Sequence, residues 1–312
     1  MKRFFIQIGF FLLVIMIVIG VSSSFGYHLL KKYILSPENF QLQDSVKILF
    51  IGDSQIGMSL NPNFIPHSTN QSIVAEQYVY VYCRLKYFLE NNPQLETVIL
   101  SFNHANLSIK WDRNLYESQQ KASFFSKEFM LLGKDELDLL YSTDLLYFRN
   151  YLTWRLGFPT RDNIPIFLKI LTNNFSRKDL PFYGSFIESG TNYNVSNAKR
   201  KIEDAIGLNE TPEIAEIQME YLNKIIRLCK LHNVRLILYS SPISSSYYDL
   251  IPDFYKTEFN RIGEKLSQEV PWLNEALYPL PDSCFIEANH TNCYGAEIIS
   301  RKVATALDSL KR

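Results

Sequence analysis

Net charge is missing from this sequence: 32 basic side chains are matched by 32 acidic ones across 312 residues. A nucleic-acid partner would call for a basic face toward its phosphates, so the balance argues against one. Cysteine is scarce too. Its four residues are too few for a disulfide scaffold and lack the paired C-x-x-C spacing of a zinc site. Histidine occurs five times, which shortens the search for a base. No internal repeat or low-complexity tract is present. Aromatic residues are plentiful instead, with 19 Tyr and 22 Phe, and 46% apolar against 21% charged residues excludes wholesale disorder.

One long apolar run stands out. After Lys2 and Arg3, Phe4 to Val21 is broken only by Gln7, Gly9 and Gly20. As a helix it would reach about 27 Å, and extension through Ser22 to Tyr27 brings it to the width of a bilayer core. A cleaved signal peptide is the rival, because Ser22-Ser23-Ser24 follows the run. The run exceeds a usual signal core and no A-x-A site follows, so a retained anchor over residues 1–32 is the expectation. Either way the rest of the chain is expected to be exported, to the periplasm or the cell surface.

Residues 33–45 read as a polar tether with a helix-stopping Pro37, ahead of an α/β domain over 46–312. Val46 to Ile51 is a short β-branched run of the buried parallel type. Ile73 to Ala75 reads as a second strand, Val79 to Glu90 as a helix and Thr97 to Phe102 as a third strand. Ile214, Ile217, Tyr221, Ile225 and Leu228 recur at helical spacing within Pro212 to Leu231. Val234 to Tyr239 supplies a fourth strand, with helices expected near Tyr255 to Leu266 and over Tyr294 to Leu310. This alternation predicts a three-layer α/β fold, a mostly parallel sheet with helices on both faces. Residues 109–211 lack the alternation and read as a largely helical insertion. Its aromatic clusters, Phe124-Phe125, Tyr147-Phe148 and Phe182-Tyr183, suit either stacking on sugar rings or ordinary packing.

Chemistry concentrates in three places. Gly52-Asp53-Ser54-Gln55 follows the first strand, so a hydroxyl would face the cleft while the Ser54 N–H could support an oxyanion. The same tripeptide is also ordinary turn and cap chemistry. Among the histidines, His28 lies beside the apolar run, His67 in a polar loop and His232 at a helix end. His290 differs, because Glu287-Ala288-Asn289-His290 puts a carboxylate three residues before the imidazole, within reach across one turn. Such a carboxylate fixes the tautomer and stabilises an imidazolium, though a surface Glu–His pair has the same spelling. Ser101-Phe102-Asn103-His104 ends the third strand, where an amide can donate to an oxyanion. Asn106 is an equivalent candidate for that task or for turning the chain.

Together these pieces resemble the SGNH, or GDSL-like, hydrolase superfamily, in its membrane-anchored envelope branch. Gly52-Asp53-Ser54 matches the first block, Ser101-Phe102-Asn103-His104 lies over Gly-x-Asn-Asp, and Glu287-Ala288-Asn289-His290 lies over Asp-x-x-His. The resemblance covers about 46–108 and 216–311. It implies Ser54 as nucleophile, His290 as base, Glu287 in the acid position, and Ser54 with Asn103 as oxyanion donors. Asp53, Gln55, Glu76, His104 and Asn106 are then expected at the substrate. It further implies an esterase or acyltransferase acting on acylated carbohydrate or a cell-surface polymer, without metal or organic cofactor. A non-catalytic protein that binds or assembles polysaccharide is the alternative.

Four positions depart from the pattern. Glu287 replaces Asp, Ser101 replaces Gly and His104 replaces Asp. The glycine of the second block is missing, since Gly57 is the only glycine between Ser54 and Ser101. Ala75 or Glu76 would have to supply the backbone N–H in its place. Cys284 and Cys293 bracket the base loop, as a disulfide in an oxidising envelope or as two small thiols; Cys83 and Cys229 fall on apolar helix positions.

Overall fold

The computed structural model describes residues 2–116, 128–141, 168–180, 182–208 and 211–310. The chain divides into two compact units, Met1–Asn39 with Gln119–Pro181, and Phe40–Ser118 with Phe182–Arg312.

The first unit opens with helix α1, Lys2–Ile34. Its segment Arg3–Ser22 has a mean hydropathy of 2.9 and is not buried at all, long and apolar enough to cross a membrane or to serve as a signal sequence. The helix runs into the expected tether and stops at Ile34, ahead of a 3₁₀ turn at Pro37–Asn39. Pro37 has no N–H to continue it. Tyr33 meets Phe175 edge to face at 5.0 Å. Of the expected helical insertion, Ile109–Tyr116, Lys134–Tyr141 and Ala198–Ala205 are helical. By contrast, 182–194 carries no helix or strand. The Phe124-Phe125 and Tyr147-Phe148 clusters lie outside the described residues. Phe182 is core, stacked on Phe40 at 5.2 Å in the second unit.

In the second unit, β1 (Ile48–Ile51), β2 (Ser68–Asn70), β3 (Thr97–Ser101), β4 (Arg235–Ser240) and β5 (Trp272–Asn274) form one sheet in the order β2-β1-β3-β4-β5. Every pairing is parallel, in the expected architecture. Alternation along the strands sends Ile48, Phe50, Ile99, Ile237 and Tyr239 to one face. There they pack with Ile56 and Leu60 of α2 (Ser54–Ser59) and nearby, and with Ile299, Val303 and Leu307 of α7 (Cys293–Leu310). Leu49, Ile51, Val98, Leu100, Leu236 and Leu238 point the other way and are buried too. Burying each such side chain contributes about 1.5–3 kcal/mol, which is why these runs are apolar on both faces. Helix α3 (Tyr78–Asn91) packs on α5 (Glu216–Leu231), and α5 packs on β4. Between them in sequence lies α4 (Ala198–Ala205), and α6 (Asp253–Ser267) packs on β5.

The second strand is displaced from its expected place. Ser68–Asn70 pairs with β1, whereas Ile73 to Ala75 is loop and Ala75 takes a left-handed φ of 55°. The strand order reverses at β1: the chain steps out to β2, then returns to β3 on the other side. The crevice beyond the carboxyl ends of β1 and β3 is where open α/β sheets bind ligands.

Candidate active site

Strand β1 delivers Ser54 to that crevice. Gly52 adopts φ 137°, and a Cβ there would lie 2.6 Å from the Cβ of Ser101, so the strand can leave the sheet only through a glycine. Asp53 caps α2, its Oδ1 accepting the Gln55 N–H at 3.0 Å, and Ser54 begins the helix. The Ser54 N–H therefore has no place in the helical ladder.

The expected base, His290, arrives on a hairpin. Strand β6 (Phe285–Glu287) pairs antiparallel with β7 (His290–Thr291), and Glu287 lies opposite His290 in the register. The two meet as cross-strand neighbours, not across a helical turn as the spacing suggested. Ser54 Oγ is 2.8 Å from His290 Nε2, and His290 Nδ1 is 3.1 Å from Glu287 Oε2. Glu287 also accepts from Lys201 Nζ at 2.5 Å. The hydrogen bond from His290, aided by Lys201, holds the Glu287 carboxyl down to about 2. An ionised carboxylate only accepts hydrogen bonds, so Nδ1 carries the ring proton and Nε2 offers a lone pair to the Ser54 hydroxyl.

Asn103 is displaced from its expected role as oxyanion donor. Its Nδ2 donates to Asp53 Oδ2 at 2.7 Å and lies 3.3 Å from Ser101 Oγ, while its Oδ1 accepts from the Ala105 and Asn106 N–H groups. Both ends of the amide are committed. Asp53, expected at the substrate, is instead a buried junction that also accepts from Ser101 Oγ at 2.8 Å and from Asn106 Nδ2 at 3.4 Å. It ties the loop after β1 to the loop after β3, which gives Ser101 a task that glycine could not perform.

The remaining expected substrate contacts also turn inward. Asn106 Oδ1 accepts from the Asn103 N–H and from Tyr78 Oη. His104 is buried against Phe259 at 3.9 Å between ring centroids, and burial with nearby Lys256 pushes its pKa down to about 3, so it is a neutral core residue. Glu76 is 1% exposed. Its carboxylate is held by Arg84 Nε at 2.8 Å and by Arg84 Nη2, although burial raises its pKa to about 7. The Glu76 N–H is bonded to Ile73 O, which removes it as an oxyanion donor. Ala75 remains, its N–H without a partner among the described residues. Gln55 is buried, with Oε1 unpartnered among the described residues. All four cysteines are free thiols, Cys284 and Cys293 included.

Three contributors escaped the sequence reading: Lys201, Arg84 and Tyr78. Each acts from a helix: Lys201 and Tyr78 reach residues far away in sequence, and Arg84 folds back on Glu76 and Gln71, 8 and 13 residues before it in a loop, where no helical or strand repeat applies. No protein-family model matches the chain, and no curated protein matches it. Among solved structures, it is similar to a chain from Bacteroides fragilis NCTC 9343 named a "putative acylhydrolase". The two are 9% identical, with 87% of this chain and 91% of that chain covered and a TM-score of 0.39.

Proposed function

We propose that this chain is an envelope-anchored serine esterase or O-acyltransferase of the SGNH kind, acting on acylated carbohydrate. The observation that carries the reading is the hydrogen-bonded series Ser54 Oγ, His290 Nε2, His290 Nδ1, Glu287 Oε2. A serine, a base within hydrogen-bond reach and a group orienting that base are what acyl transfer requires.

In this reading Ser54 Oγ attacks the ester carbonyl and its proton passes to His290 Nε2. The carbonyl oxygen becomes an oxyanion, supported by the Ser54 N–H and, in place of the expected Asn103 amide, by the Ala75 N–H. Collapse breaks the ester bond, and His290 returns the proton to the departing sugar oxygen. Water or a second sugar hydroxyl then gives its proton to His290 and attacks the acyl carbon, and as the acyl–Oγ bond breaks His290 returns that proton to Ser54 Oγ. Glu287 stays ionised throughout and stabilises the imidazolium. The apolar Arg3–Ser22 segment supports the anchored location, and the resemblance to envelope members of the superfamily supports the carbohydrate acceptor.

A fluorophosphonate probe tests the reading on the full chain in detergent: wild type is labelled and Ser54→Ala is not. Acetate release from acetylated polysaccharide, with and without an alcohol acceptor, separates transfer from hydrolysis. One observation favours a second reading, a non-catalytic polysaccharide-binding protein: the Asn103 amide is bound to Asp53, away from any oxyanion. Retention of polysaccharide by an unlabelled wild type would establish that reading and end the first.

A further inference from the structure

Lys201 lies outside every block that carries the resemblance, yet it is the second donor on the carboxylate that orients the base. The chain that brings it there follows the site closely. Ile187 N–H donates to Gly57 O at 2.8 Å, beside the helix that opens with Ser54. Ser189 Oγ is 3.4 Å from Thr291 O, next to His290. Asn194 N–H donates to Phe285 O at 3.2 Å, and Asn292 Nδ2 lies 3.4 Å from Asn192 O. Asn197 Oδ1 then accepts the Ala288 N–H at 3.2 Å, at the tip of the β6–β7 hairpin. Helix α4 starts at the next residue and is held by buried Ala198 and Ile202, which fixes where Lys201 emerges.

Glu287 needs such a second donor. A glutamate has one more rotatable bond than the aspartate expected there, and the Glu287 side chain is 31% exposed. A lone hydrogen bond to an imidazole would leave that carboxylate free to swing into water. With Lys201 on the same oxygen, the carboxylate is clamped between two cationic or partly positive donors on opposite elements.

We infer that Lys201 is a positioning residue for the proposed acyl transfer, its ammonium holding the Glu287 carboxylate against His290 Nδ1. The inference rests on the esterase or acyltransferase reading. Its effect is on turnover and not on substrate binding, because Lys201 acts through Glu287.

The experiment compares Lys201→Met, Lys201→Gln and Lys201→Arg with wild type in the full chain, by fluorophosphonate labelling and by the kcat and KM of ester hydrolysis. The expected result is a kcat lower by about 10- to 100-fold for Lys201→Met and Lys201→Gln with KM unchanged, as for a misplaced catalytic group. Lys201→Arg restores most of the rate. Unfolding transitions matching wild type confirm that the variants fold. Should either neutral variant fold poorly, the other and the arginine variant still decide. Wild-type kcat in the neutral variants, or equal damage from Lys201→Arg, overturns the inference while leaving Ser54 labelling intact. A wild type that is not labelled overturns the underlying reading, and the inference with it.

Discussion

The buried Arg84–Glu76 pair offers the sharpest test of how the loop after β2 is held. Arg84 and Glu76 side chains are both 0% exposed. The guanidinium donates twice to the carboxylate and once, through Nη1, to the carbonyl of Gln71. One side chain thus fastens both ends of the 71–76 loop. Arg84→Met keeps most of the volume but strands a buried carboxylate, at a cost of about 3–5 kcal/mol. It also orphans the Gln71 carbonyl, for about 1–3 kcal/mol more. Partial overlap of these effects gives about 4–6 kcal/mol at pH 8. At pH 5 the deficit shrinks. Glu76 already titrates near 7 in the folded chain, above the usual carboxylate value, and without Arg84 its folded pKa rises further. The folded variant therefore holds a proton that the unfolded chain releases, so its stability falls as pH rises above about 4.5. Adding Glu76→Leu removes the stranded charge and restores about 3 kcal/mol, leaving only the Gln71 carbonyl unpaired. Urea unfolding of the full chain in detergent, at pH 5 and pH 8, measures all of this. A single variant within 1 kcal/mol of wild type at pH 8, or a double variant no better than the single, refutes the reasoning.

Two more outcomes follow from the same geometry. Glu287 has a folded pKa of about 2, below its ordinary value, so its contribution is present above about pH 4.5 and is lost as pH falls toward 2. A fully buried group would give about 3 kcal/mol for such a shift; with a third of this one open to water, about 1–2 kcal/mol is expected. Glu287→Gln should show that deficit in urea unfolding at pH 6 and much less at pH 3, and a deficit independent of pH would contradict the assignment. At Gly184 a Cβ would fall 2.1 Å from the Gln71 carbonyl oxygen and 2.7 Å from that of Ser72. Gly184→Ala should therefore lower stability by about 1–3 kcal/mol through backbone that cannot yield, and unchanged urea unfolding would show that the segment is not packed on the loop.

The central strands were legible because burial on both faces demands unbroken apolar runs, as in Ile48 to Ile51 and Leu236 to Tyr239. The edges were not. Ser68–Asn70 is three polar residues at the sheet margin, and the apolar Ile73 nearby drew the reading away from it. Trp272–Asn274, at the opposite margin behind Pro271, left no pattern either. Edge strands need only one partner and one covered face, so their composition carries little of the signal that periodicity detects. The base loop was legible as a spacing but not as a shape: three residues suit a helical turn and a tight hairpin equally, and the antiparallel pairing of Phe285 with Thr291 selects the hairpin.

The departures from the expected blocks, which read singly as damage, make sense as a set. Ser101 stands where glycine was expected, and its hydroxyl reaches Asp53. Asn103 turns to the same carboxylate, so the two strand ends flanking the crevice are joined by side chains as well as by the sheet. That bond commits the amide expected as an oxyanion donor, while the left-handed Ala75 keeps its N–H without a partner among the described residues. Glu287, one carbon longer than aspartate, bonds to His290 across a hairpin register, and its added freedom is matched by a second donor from a helix that the blocks do not include. A sequence pattern records which side chains stand near the chemistry. It does not record which of them has exchanged a role with a neighbour, because that exchange is settled by contacts between residues far apart in the chain.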